Sequence, residues 1–126
     1  MDARELMIGD WIRYGSRFGI VKGIKTDTCL ILVSCNGNDE LIWETFDNIE
    51  SIPLTPEILE SNGFFKLGNQ YNTWCMRNFN FSLDFIDGIL GYYEQNRPYN
   101  PTFVTKYVHE LQHALRLCRI DKTIEL

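Results

Sequence analysis

Phe79-Asn-Phe-Ser-Leu-Asp-Phe85 alternates apolar and polar residues without a break. Successive side chains of a strand point to opposite faces. Phe79, Phe81, Leu83 and Phe85 therefore share one face, and Asn80, Ser82 and Asp84 the other. Asp87-Gly88 follows, a dipeptide suited to the two-residue hairpin turn. That loop places Phe85 opposite Leu90 and Leu83 opposite Tyr92, extending the apolar face onto the next strand. A chain with this hairpin has to cover one aromatic side of an antiparallel sheet.

Val104 to Cys118 is the one long segment with helical periodicity, and it supplies the cover. On a wheel centred on Leu111, Val104, Tyr107, Leu115 and Cys118 fall within about 40° and Val108 and Ala114 at about 60°. His109 and His113 fall nearly opposite, beside Lys106 and Arg116, on the face expected to be wet. The pairing predicts a two-layer α+β unit over residues 54–126: a short helix at 55–62, strands over about 64–94, a helix over about 101–118 and a short terminal edge strand at 120–126. In the short helix, Thr55 is placed to cap, Pro56 suits the first turn and Glu57 the positive end of the dipole. Gly63 suits the stop, Ile58 and Leu59 are anchors, and Asn96 to Thr102 reads as a turn-rich connection ending in Asn100 and Pro101.

Residues 1–53 read differently. Asp10–Tyr14, Phe18–Lys25, Cys29–Ser34, Leu41–Phe46 and Ile49–Pro53 are five short apolar runs, with Gly15-Ser16 and Asn36-Gly37-Asn38-Asp39 as turns. The glycines of the second run predict a bulge in a strongly curved sheet, and five strands in about fifty residues predict a small β-barrel. Ile8-Gly9-Asp10-Trp11-Ile12 followed by Phe18-Gly19-Ile20-Val21 resembles the opening of SH3-like barrels. Such barrels hold peptides, RNA or other proteins, or act as spacers.

His109-Glu110-Leu111-Gln112-His113 spells H-E-x-x-H, with both His on one helical face as zinc ligation requires and Glu110 placed as general base. A zinc peptidase also needs a third ligand. In the extended form of the motif it falls at position 119, where this chain has Arg119, and Asp121 and Glu125 are the only later carboxylates. The motif is therefore expected to be structural, with no metal, cofactor or catalytic residue assigned. Zinc held by His109 and His113 is the alternative.

The formal net charge is -5, and no Lys or Arg lies between Lys25 and Lys66. Asp27, Asp39, Glu40, Glu44, Asp47, Glu50, Glu57 and Glu60 fill that span. Nucleic-acid binding through the barrel, by Arg4, Arg13, Arg17, Lys22 and Lys25, is disfavoured, because Asp2, Glu5, Asp10 and Asp27 are interleaved with them. A protein partner is expected, with Trp74 and Tyr93 as candidate contacts. The opening residues lack the basic start and long apolar core of an export signal, and no run is long enough to span a membrane. Cys29, Cys35, Cys75 and Cys118 form no C-x-x-C pair and are expected to be reduced, buried thiols of a cytoplasmic protein.

The Ile8-Gly9-Asp10 opening, the segment from Pro53-Leu-Thr-Pro-Glu-Ile-Leu59 to Asn62-Gly63-Phe64, and the Tyr107–Gln112 helix occur in that order. The pattern resembles a family of small uncharacterised proteins from Bacteroides-type bacteria and their phages or mobile elements. The resemblance implies a cytoplasmic accessory protein and brings no activity with it.

Overall fold

A computed structural model describes residues 6–35, 41–66, 68, 73–77, 81–94 and 101–126. The turn at Asn36–Asp39, the inward position Phe79 and the outward Asn80, Asn96 to Asn100, and Asp2, Arg4 and Glu5 lie outside the described residues, as does the side chain of Cys35. The chain divides into two units, Met1–Ile52 and Pro53–Leu126. Each is built on a five-stranded antiparallel sheet, and the chain is α+β.

The first unit begins with a turn that explains its Gly-Asp pair. Gly9 takes a φ of 98°, a conformation that costs glycine little. The buried Asp10 accepts the Met7 N–H on Oδ2 at 2.8 Å. Gly9 donates its N–H to the Val21 carbonyl and Val21 donates to that of Asp10. The strands are β1 (Trp11–Tyr14), β2 (Arg17–Lys25), β3 (Leu30–Cys35), β4 (Leu41–Thr45) and β5 (Ile49–Glu50), in the order β4-β3-β2-β1-β5. The register of β2 against β3 shifts between Val21 and Gly23, the bulge expected from the glycines. The sheet is curled into a half-barrel with β4 and β5 as its edges. Leu6, Ile12, Val21, Ile31, Val33 and Ile49 form its core.

Two boundaries differ from expectation. Cys29 is in the turn before β3, at φ 54° and exposed, because the chain has to reverse there before the apolar run can pair. The closing strand stops at Glu50, and Pro53 bridges to Tyr107 in the second unit instead.

In the second unit, α1 (Pro56–Ser61) is capped by Thr55, whose Oγ1 accepts the Ile58 N–H. The strands β6 (Phe65–Lys66), β7 (Thr73–Arg77), β8 (Phe81–Ile86), β9 (Ile89–Glu94) and β10 (Thr102–Val104) lie in the order β10-β9-β8-β7-β6. Asp87 and Gly88 have φ of 48° and 83°, the signs required by a type I′ turn. Phe85 pairs with Leu90 and Leu83 with Tyr92, as the alternation predicts. Trp74, Leu83, Phe85, Leu90 and Tyr92 are buried on this inner face.

The last helix, α2 (Val108–Leu117), is shorter than the periodicity predicts. Thr102-Phe-Val104 is strand: these β-branched and aromatic residues pair with Ile89–Gly91 of β9. Val104 sits seven residues before Leu111, so its place on the helical stripe was a coincidence of spacing. Arg119 ends the helix at φ 58°, with Arg119 N–H bonded to Arg116 and Ile120 N–H to Leu115, a Schellman motif without its usual glycine.

The tail forms no strand. Asn62, itself buried, accepts the Glu125 N–H on Oδ1 at 2.7 Å. Its Nδ2 donates to the carbonyls of Glu125 (2.9 Å) and Ile58 (2.8 Å). One amide side chain thus supplies the pairing expected from a neighbouring strand, and Ile124 is buried beside it in sequence.

The close pairing of β2 and β3 yields a test. A Cβ on Gly19 would overlap Val33 Cγ1 and stand 3.1 Å from the Ser34 carbonyl oxygen. Gly19→Ala should cost about 1–3 kcal/mol of stability by overpacking, read by urea denaturation. An unchanged midpoint would show that the strands separate freely at this point.

Candidate functional site

The H-E-x-x-H stretch forms the first turns of α2. Glu110 is its third residue, and its Oε1 accepts two backbone N–H groups, from Lys106 at 2.9 Å and Tyr107 at 3.0 Å. These amides precede the helix and have no carbonyl one turn back, so the carboxylate serves as their acceptor. The negative charge also sits at the positive end of the helix dipole. The carboxylate proposed as a general base is occupied in holding the helix start.

His109 is not on a wet face. It is 3% exposed, and Gln112 is buried as well, while His113 is half-buried. With Val108, Leu111, Ala114 and Leu115 also buried, α2 is covered around more than half its circumference. The wheel placed Val108, Leu111, Ala114 and Leu115 on the covered side but not the exposed Val104 and Tyr107, and the cover wraps beyond the stripe to His109 and Gln112. The His109 ring stacks on Tyr107 (centroids 5.9 Å apart) and meets His113 edge-on at 5.6 Å. Among the described residues, no three His, Cys, Asp or Glu side chains are grouped to share a metal ion.

Two of the described basic residues of the first unit are engaged by neighbouring side chains. Arg13 pairs with Glu50 on the adjoining strand, and the Lys25 ammonium lies 4.5 Å from the centre of the Trp43 ring. Arg17 starts β2 and Lys22 occupies its bulge. Among the described residues no helix is long and apolar enough to cross a membrane.

Trp74 is buried. It lines a concavity of about 300 Å³ with Phe85, Leu54, Leu59, Thr105 and Lys106. Tyr93 is exposed and lies along its own strand, with its Oη 3.0 Å from where a Cβ on Gly91 would stand. That places Tyr93 on the outer face of the second sheet. The same face carries a feature that the sequence reading passed over. Ile86 pairs with Ile89, and Ile89 with Val104. Directly paired residues share a face, so the three form one row across β8, β9 and β10. They are 49%, 48% and 60% exposed. The signal was available: in a two-residue Asp-Gly hairpin, Ile86 and Ile89 must oppose each other on the side away from Phe85 and Leu90.

Compared with family models, curated proteins and solved structures, the chain matches none.

The Glu110 contacts give a discriminating pair of variants. Glu110→Ala should lower stability by about 1 kcal/mol, while Glu110→Gln, which keeps an acceptor oxygen, should retain most of it. Equal stability of both with wild type in thermal melts would remove the capping role.

The thiols differ as well. Cys75 is fully buried in β7, and burial pushes its thiol above the usual range; nearby Arg77 opposes the rise and Asp84 adds to it. It should be alkylated on the order of a hundredfold more slowly than the exposed Cys29 in the native protein, as peptide mapping after iodoacetamide would show. The unfolded chain releases this proton first, at about pH 8.5. The thiol's contribution to stability is therefore complete below that pH and is lost as pH rises toward the folded value. Equal labelling of Cys29 and Cys75 would contradict the burial.

Proposed function

We propose that the chain is a non-enzymatic accessory module that binds another protein, presenting the outer face of its second sheet. The observation that carries this reading is the Ile86–Ile89–Val104 row, apolar and about half exposed on three adjacent strands. Contiguous exposed aliphatics are the usual sign of a contact surface, whereas scattered ones are not. A protein is the fitting occupant. The row contains no Lys or Arg to meet anionic lipid, and the net charge of -5 opposes both lipid and nucleic acid. Tyr93 on the same face adds an amphipathic ring of the kind enriched at interfaces.

On this reading the first unit is an SH3-like barrel. Its strand order, the long bulged β2 and the single 3-10 turn Phe46–Asn48 between β4 and β5 support it, as does the Gly-Asp turn that locks onto β2. The cytoplasmic location and the origin among Bacteroides-type bacteria or their mobile elements, implied by the sequence resemblance, belong to the same proposal. The zinc-peptidase reading is set aside because Glu110 is engaged by two backbone amides.

The test is co-purification from the native host with wild-type and I89K/V104K baits. A protein retained by the first and lost from the second, with the variant melting within about 2 °C of wild type, is the expected outcome. Identical captures by both baits would overturn the assignment of this face.

A further inference from the structure

The ends of the two sheets are not alike. Sheet edges expose unpaired backbone groups, and proteins blunt them with very short strands, Lys, Pro or bulges. Among the described residues three of the four edges are short: β5 and β6 have two residues each and β10 has three. The fourth, β4, has five, Leu41-Ile-Trp-Glu-Thr45, with no Lys, Pro or Gly and an unbroken register against β3. Among the described residues, its backbone bonds go to β3 alone.

The Trp43 side chain leaves this edge open. Its Cη2 lies 3.9 Å from where a Cβ on Gly23 would stand, and Gly23 belongs to β2. The indole therefore leans inward across β3, where Lys25 sits on its ring. Leu41 and Trp43 remain exposed on the outer face of the strand.

We propose that β4 pairs antiparallel with β4 of a second copy of this chain, joining two half-barrels into one continuous sheet. The sequence of the strand selects this occupant. Centred on Trp43, the two-fold register sets Leu41 against the partner's Thr45, Ile42 against the partner's Glu44, and Trp43 against the partner's Trp43. The strand's single charge thus faces an aliphatic residue, and no like charges stand directly opposed. Leu41, Trp43 and Thr45 of both copies share one face, and Ile42 and Glu44 the other, so a two-fold axis preserves the alternation. This proposal concerns a different unit and a different surface from the Ile86–Ile89–Val104 row and does not depend on it.

Sedimentation velocity of the full chain tests it, with wild type, L41K/T45K and I89K/V104K compared at low and high salt. L41K/T45K places Lys against Lys twice in the two-fold register while altering only exposed positions. Wild type should dimerise with increasing concentration, and more strongly at high salt, because each copy carries -5. L41K/T45K should weaken the dimer about tenfold or more, and I89K/V104K, which changes the net charge equally but lies outside β4, should not weaken it. The variant also lowers the net negative charge, so a dimer formed elsewhere would tighten instead. Should the double variant melt early, L41K alone carries the comparison. A wild type that stays monomeric at the highest concentration, or a dimer that L41K/T45K does not weaken, would overturn the proposal. Self-association that salt weakens would point to opposite charges meeting elsewhere on the two copies in place of the β4 pairing and would also overturn it.

Discussion

Lys106 and Tyr107 enter α2 from the strand β10 with two amide N–H groups that no preceding carbonyl can reach, and the Glu110 carboxylate accepts both. The second unit depends on this contact. It fixes where strand becomes helix, leaving Val104 on the sheet and Leu111 and Leu115 buried. Lys106 and Tyr107 are exposed, so the carboxylate competes with water for these amides and the cap contributes about 1 kcal/mol, which still counts against the marginal stability of a small domain. Two further side chains act in the same way. Asp10 closes the turn before β1, and Asn62 takes both backbone groups of Glu125. Three polar residues thus stand in for main chain where the chain leaves its regular elements.

Much of the architecture was legible because it rests on short-range rules. The alternation through Phe81, Leu83 and Phe85, followed by Asp87-Gly88, determined the hairpin and its register. The glycines of β2 announced its bulge. The misplaced parts are those where periodicity cannot decide. Thr102–Val104 fits a helical wheel by spacing and a strand by composition, and its pairing with β9 makes it strand. The tail has the apolar spacing of a strand, yet its partner is one amide side chain from α1, a contact between residues 63 apart in sequence.

The site was legible only in part, and for a related reason. H-E-x-x-H is a pattern of residue types, while its chemistry depends on what each side chain already bonds. Glu at the third position of a helix is a capping residue before it is anything else. His109 was assigned to a wet face because the wheel shows where apolar residues lie, not how far the cover extends. The exposed row Ile86–Ile89–Val104 escaped notice because attention to the core selects one parity of a strand, and this row has the other. Once the register is known, the remaining parity is the place to look for a partner surface.

The central claim is that the H-E-x-x-H stretch is a capped helix start, and amide hydrogen exchange measured residue by residue tests it most directly. In the wild-type protein, the Lys106 and Tyr107 amides should exchange much more slowly than free peptide, and Glu110→Ala should release both while amides at the centre of α2 stay protected. Exchange at the free-peptide rate for both amides in the folded wild type would contradict the account and leave the Glu110 carboxylate available for other chemistry.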